Sequence, residues 1–179
     1  TAVCCTLDFL KWKYPQLPVE LCRDVSFVTT QELEDMYPDL TPKQRENAYL
    51  REHRTAGILQ IGGKLRSGKP HDGRAPDYDD WALNGDIMFY NDVLGCAFEL
   101  SSMGVRVSPE SLRAQLAEAG CPERAELPFH RMLLAGELPF TMGGGIGQSR
   151  MCMLLLAKEH IGEVQSSLWD AETRRVCRD

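Results

Sequence analysis
Arg150 stands where a glycine run meets an apolar block, in the stretch TMGGGIGQSRMCMLLLA at 141–157. Gly143, Gly144, Gly145 and Gly147 read as a strand or tight loop whose bare backbone lets another molecule approach closely, with a buried helix behind it. Free N–H groups at the start of that helix favour an anion. An arginine in the first turn opposes the helix dipole, so its presence there points to a ligand. Carboxylates supply the rest of the chemistry. Asp77, Asp79 and Asp80 crowd the loop RAPDYDDW at 74–81, flanked by Tyr78 and Trp81. Like charges that close need either Arg74 or a bound cation such as an ammonium group. Asp86 and Glu99 fall on two expected strands, 86–90 (DIMFY) and 97–107 (AFELSSMGVRV), joined across residues 91–95.

Alternation along the second strand puts Ala97, Glu99, Ser101 and Met103 on one face and Phe98, Leu100 and Ser102 on the other. Gly104 is the natural place for a bulge that re-aims Arg106. If Glu99, Asp86 and Arg106 share a floor, the carboxylates suit Mg²⁺ and the arginine suits phosphate. The plainer alternatives are a glycine-rich surface turn, a solvated acidic turn and cross-strand ion pairing. GKLRSGKP at 63–70 misses the P-loop pattern, because Pro70 replaces the hydroxyl residue and no helix can follow; it reads as a hairpin or active-site loop carrying Lys64, Arg66 and Lys69. His53, His71, His130 and His160 have no metal-ligand spacing and read as structural.

The elements that position these residues follow from periodicity and caps. Residues 2–13 form a helix with Val3, Leu7, Leu10 and Phe9 inward, and 25–29 a short strand. Thr29 or Thr30 caps a short helix ending near Pro38, and Thr41-Pro42-Lys43-Gln44 opens a helix to about Arg54 whose Lys43, Arg45, Glu46, Arg51 and Glu52 form a solvated face. AGILQI at 56–61 is a buried strand. Helices follow at 109–120 and 127–136, the latter offering Met132, Leu133 and Leu134 to the core; 161–165 starts a short strand or loop, and the tail ETRRVCRD is frayed surface. With 179 residues, 43% hydrophobic, 26% charged and a net charge of −6, the chain reads as one globular domain without a polyanion-binding surface. No apolar run spans a membrane, and the opening residues lack a secretory signal. Seven cysteines without ligand spacing read as reduced, mostly packing thiols in a cytoplasmic protein.

HDGRAPDYDDW, LNGDI, FELSSMGVRV and GGGIGQSR, in that order, resemble the asparagine synthetase A family of ammonia-dependent aspartate–ammonia ligases. GGGIGQSR is also similar to the third signature motif of class II aminoacyl-tRNA synthetases. The resemblance implies an α+β fold, an antiparallel sheet flanked by helices, forming part of a class II synthetase-like catalytic core. It implies that residues 1–179 are the C-terminal portion of a longer catalytic domain that forms a homodimer and acts on aspartate, ammonia and ATP with Mg²⁺, without tRNA. Carried onto this sequence, Arg150 lies against the adenine or phosphates, and Gly143, Gly144, Gly145 and Gly147 admit the adenosine. Glu99 and Asp86 serve the metal, Ser101, Ser102 and Arg106 lie near the nucleotide, and Asp79 meets the amino group of aspartate. Arg150 and Asp79 are thus the expected catalytic and substrate-binding residues. The family carries a longer loop where this sequence passes almost directly from Asp80-Trp81 to Leu83-Asn84-Gly85. The alternatives are a synthetase-like protein that charges tRNA and a non-catalytic nucleotide-binding or dimerisation module.

Overall fold
A computed structural model describes residues 1–177. The elements run α1 (Ala2–Lys13), β1 (Ser26–Thr29), α2 (Thr30–Met36), α3 (Pro42–His53), β2 (Thr55–Leu59), β3 (Asp79–Asn91), β4 (Cys96–Arg106), α4 (Pro109–Glu118), α5 (Pro128–Leu134), β5 (Met142–Ile146), α6 (Gln148–Leu155) and α7 (Ala171–Val176), with short 3₁₀ turns at Pro122–Glu126 and Ile161–Glu163. The five strands form one sheet in chain order. It is antiparallel from β2 to β5, but β1 lies parallel to β2, so the expected antiparallel sheet has one parallel edge.

Local chemistry explains most boundaries. The Thr29 side chain accepts from the Glu32 backbone while Glu32 takes the Thr29 N–H at 2.7 Å, closing a capping box at the start of α2. Gln44 does the same for Thr41, whose N–H donates to Gln44 Oε1 at 2.9 Å, with Pro42 opening α3. Between β3 and β4, Asn91 Oδ1 accepts from the backbones of Val93 and Leu94, and Gly95 takes the left-handed conformation (φ +66°) that closes the turn.

Two apolar clusters cover opposite faces of the sheet. Val28, Ala56, Ile58 and Met88 pack under α2 and α3, through Leu33, Tyr49 and Leu50. Phe89 and Leu100 pack on the other face against Val3 and Leu7 of α1 and Leu154 and Leu155 of α6. A third cluster, Val107, Leu112, Leu116 and Leu133, seats α4 and α5 beyond the end of β4. Glycine keeps the layers close: a Cβ on Gly62 (φ +126°) would stand 2.5 Å from the Trp81 ring.

Several expectations are corrected here. Phe9 points outward, and Met132 is exposed while Leu133 is buried. Arg45 and Glu46 are buried, not solvated: Arg45 pairs with Glu34 (3.4 Å) and donates to the Tyr37 carbonyl, and Glu46 sits beside His71 (3.0 Å). Helical periodicity was satisfied by aliphatic carbon, and the buried polar layer beneath α3 leaves no mark on a charge count. Cys5, Cys152 and Cys177 are exposed, and all seven cysteines are free. Residues 64–70 form a hairpin, with a Lys64–Pro70 bridge and the Leu65 N–H donating to the Lys69 carbonyl, docked on α2 through Arg66–Asp35 and Ser67–Glu34. In the tail, 161–163 form a 3₁₀ turn and 171–176 a helix; Arg178 and Asp179 lie outside the described residues.

Candidate functional site
β3 and β4 build the floor of the site through two irregularities in their pairing. Asp86 pairs with Ser102, Ile87 with Ser101, and Met88 with Glu99, so Leu100 is an extra residue on β4. A bulge turns the side chains beyond it to the other face. Glu99 therefore shares a face with Asp86 and Ser102, whereas Ser101 turns away with Ile87. This overturns the expected grouping of Glu99 with Ser101; the irregularity expected at Gly104 does lie beside it, but its extra residues are on β3. The second irregularity sets Asp80–Leu83, four residues of β3, opposite the single Val105, between the pairs Asp79–Arg106 and Asn84–Gly104. Asn84 is buried there and clamps the end of β2, accepting from the Ile61 N–H and donating to the Ile61 carbonyl, both at 2.8 Å.

α2 and α3 cover this face over β1 to β3, and the strip along β4 and β5 carries the polar groups. Arg150 Nη1 reaches Glu99 twice, at 3.0 Å from Oε1 and 3.1 Å from the backbone carbonyl. Gly147 seats this contact by donating its N–H to the Leu100 carbonyl at the start of α6. Arg74 forms an ion pair with the buried Asp86 and donates to Ser102 Oγ at 3.2 Å. Arg106 pairs with Asp79 and donates to Tyr78 Oη at 3.0 Å, its guanidinium 4.0 Å from the centre of the Tyr78 ring. The glycines are not equivalent. A Cβ on Gly104 would meet Asp79 Cγ at 2.8 Å, one on Gly143 would meet Arg106 Nη2 at 2.5 Å, and one on Gly144 would meet Met103 Cβ on the far face at 2.7 Å. Gly145, opposite Ser102, has nothing within 4 Å of that position: the floor is open there.

The acidic loop resolves into separate pairs. Asp77 Oδ2 lies 3.0 Å from His130 Nε2 and 3.3 Å from Arg124, Asp79 takes Arg106, and Asp80 accepts from the Ala82 N–H at 2.9 Å. Arg74, the partner expected from sequence, goes to Asp86 instead. Burial pushes the Asp86 carboxyl above the ordinary range, and the neighbouring charge of Glu99 adds to this; the Ser102 hydroxyl and Arg74 pull the other way without cancelling it. Asp86 Oδ1 is buried with no hydrogen-bond partner, as are Arg74 Nε and His71 Nδ1.

Sequence reasoning placed Glu99, Asp86, Ser102, Arg106, Asp79, Gly143, Gly145, Gly147 and Arg150 along this strip, and the structure brings them together. Ser101 and Gly144 are the exceptions: Ser101 turns away with Ile87, and the Cβ position of Gly144 faces Met103 on the far side. Arg74's partner, the Tyr78 stack and the polar layer of α3 were missed; the arginine between two motif carboxylates was the available signal for the first. Glu99 and Asp86 fit a hard cation in part: two carboxylates, one with an orphaned buried oxygen, suit an ion whose other ligands come from phosphate and water. Consistent with that, no group of three or more His, Cys, Asp or Glu side chains among the described residues forms a metal site by itself.

The aspartate–ammonia ligase family model matches residues 1–179. An aspartate–ammonia ligase of Clostridium tetani (strain Massachusetts / E88) is 61% identical over 174 residues, covering 97% of this chain and 51% of that protein. One of Clostridium perfringens (strain 13 / Type A) is 58% identical over 174 residues, with 97% and 52% covered. The chain spans about half the length of these curated relatives. Among solved structures, the aspartyl-tRNA synthetase from Entamoeba histolytica superposes with a TM-score of 0.57 at 19% identity, over 89% of this chain and 36% of that one. The asparaginyl-tRNA synthetase of the same organism, in complex with asparaginyl-adenylate, gives 0.52 at 13% identity, over 88% and 37%. At such identities the likeness is one of fold: the sheet and its helices are similar to the matching part of these two synthetases. By sequence, the chain belongs to the aspartate–ammonia ligase family.

Proposed function
We propose that this chain carries the nucleotide-binding side of a ligase that makes asparagine from aspartate, ATP and ammonia through a β-aspartyl-adenylate, releasing AMP and pyrophosphate. The observation that carries the reading is the Arg150–Glu99 contact beside the open floor at Gly145, with the Arg74–Asp86–Ser102 group next to it. A carboxylate resists nucleophiles because of its charge. In the first step an oxygen of the aspartate side chain attacks the α-phosphorus, and the bond to the pyrophosphate group breaks. In the second, ammonia attacks the carbonyl carbon and AMP departs with that oxygen.

Each cluster has a part in this scheme. Gly145 and Gly147 let the adenosine approach the backbone, and Arg150 offers a planar cation for the base or the phosphates. Ser102 and Arg106 supply donors along the nucleotide. Arg106 occupies only Oδ1 of Asp79, and the remaining carboxylate oxygen takes the amino group of aspartate. Glu99 and Asp86 would hold Mg²⁺, which when bound supplies positive charge to the phosphates. Arg74 and Arg150 hold these carboxylates in place until that charge arrives. Ser101, turned to the other face with Ile87, has no part in this scheme. We further propose that these residues are part of a single catalytic domain, cytoplasmic and homodimeric in the complete protein; the half-length match to relatives supports the first point. No helix among the described residues is long and apolar enough to cross a membrane.

The test is product analysis on the complete gene product. With ATP, aspartate and ammonium it should yield asparagine, AMP and pyrophosphate in equal amounts, with glutamine failing to replace ammonium. Cleavage of ATP to ADP, or formation of aspartyl-tRNA without asparagine, would overturn the reading.

A further inference from the structure
The first turn of α3 reaches over the carboxylate floor, and the proposed reaction leaves its cation unused. Asn47 Oδ1 accepts from the Ala97 N–H at 2.7 Å, fixing α3 across the start of β4. Lys43 lies one turn earlier on the same side of the helix, toward Glu99. Its ammonium is 2.9 Å from Glu46 Oε2 and 4.0 Å from Asp72 Oδ2, with about two-thirds of the side chain exposed. Burial at the root of the chain lowers its pKa, but the charges of Glu46, Asp72 and Glu99 outweigh that and raise it, so the ammonium is charged at every physiological pH.

What holds Lys43 there is buried. Glu46 has 3% and His71 1% of side-chain surface exposed, and they lie 3.0 Å apart beneath it. Among the described residues, His71 Nδ1, Arg74 Nε and Asp86 Oδ1 are buried without hydrogen-bond partners, the first on the residue that anchors Glu46 and the other two on the ion pair of the floor. Unpartnered buried polar atoms on both the anchor of Lys43 and the floor leave polar capacity that the protein itself does not fill.

We infer that Lys43, anchored by the Glu46–His71 pair, binds the pyrophosphate end of the nucleotide, opposite the glycine strand and Arg150. This rests on the nucleotide reading of the floor proposed above. The cation approaches Glu99 from α3 while Arg150 approaches from α6, so the polyphosphate carried over Glu99 and Asp86 meets positive charge from both sides. Lys43 is then a residue for ATP and pyrophosphate, without contact to aspartate.

The test uses Lys43→Met, Lys43→Arg and Glu46→Gln in the complete gene product, with calorimetric titration of Mg-pyrophosphate and Mg-ATP alongside steady-state kinetics. Lys43→Met should weaken pyrophosphate and ATP binding about tenfold, the effect of one charge-assisted hydrogen bond at a half-open site, and leave the KM for aspartate unchanged. Lys43→Arg should restore most of the affinity, and Glu46→Gln should show a smaller loss of affinity, read on protein shown by melting to be folded at the assay temperature. Lys43→Met with wild-type affinity for pyrophosphate overturns the inference and leaves the ligase reading intact. A wild-type protein that binds Mg-ATP through Lys43 and makes no asparagine supports the inference and sinks the ligase reading.

Discussion

Replacing Arg74 by Met isolates the buried charge at the centre of the floor. Asp86 is 3% exposed, and among the described residues Arg74 is the cation paired with it. The substitution leaves an ionised carboxylate in the sheet with the Ser102 hydroxyl as its remaining favourable neighbour and Glu99 as an unfavourable one. Removing one partner of a buried pair typically costs about 3–5 kcal/mol. Because part of the Arg74 side chain reaches solvent, we expect a smaller loss, about 2–3 kcal/mol at neutral pH. The loss must depend on pH in a definite sense. The folded pKa of Asp86 lies above its unfolded value, so this carboxyl stabilises the fold most when protonated, and that contribution is lost as pH rises through the folded value. Without Arg74 the folded pKa climbs further. The deficit of Arg74→Met against wild type is therefore full in mild alkali and shrinks in acid as Asp86 takes up a proton. Urea unfolding at several values from about pH 5 to about pH 8 measures it. A deficit below about 1 kcal/mol, or one that does not change with pH, would refute the claim that Arg74 compensates a buried charge.

The remaining predictions address single contacts. Gly144→Ala should lose about 1–3 kcal/mol of stability, because its Cβ collides with Met103, whereas Gly145→Ala should melt like wild type and bind Mg-ATP more weakly, since only a ligand fills the space above it. Asn84→Ala should cost about 2–4 kcal/mol by orphaning both backbone groups of Ile61, read from denaturant unfolding. For Asp77, burial pushes the carboxyl up, but the His130 bond and the charge of Arg124 outweigh it and hold it low. Its stabilisation is present above the unfolded value of about 3.9 and is lost as pH falls through the folded one. Asp77→Asn should thus cost about 1 kcal/mol at neutral pH and nothing in strong acid, measured by melting in a pH series.

The sequence made some of this site legible and hid the rest for physical reasons. The glycine strand, the capped helices and the acidic strands were visible because each depends on local rules: conformational freedom, capping spacing, turn chemistry. The positions of Glu99 and Ser101 were misread because alternation assumes a regular ladder. One extra residue, Leu100, exchanges faces for everything beyond it, and nothing in FELSS marks the bulge. The destination of Arg74 was hidden because three nearer carboxylates competed for it, and only the fold shows that His130, Arg124 and Arg106 had already taken two of them. Arg45 and Glu46 looked solvated because a buried ion pair and an exposed one have the same composition. The parallel β1–β2 edge follows from the α2–α3 crossover between them, which places β2 beside β1 in the same direction.

The central claim is that this floor serves carboxylate adenylation. It is tested by supplying the complete gene product with aspartate isotopically labelled in both side-chain carboxylate oxygens, together with ATP and ammonium, and weighing the AMP. The account predicts one labelled oxygen in each AMP and none in pyrophosphate, because the departing nucleotide keeps the oxygen that attacked its phosphorus. Asparagine formed with unlabelled AMP would contradict it.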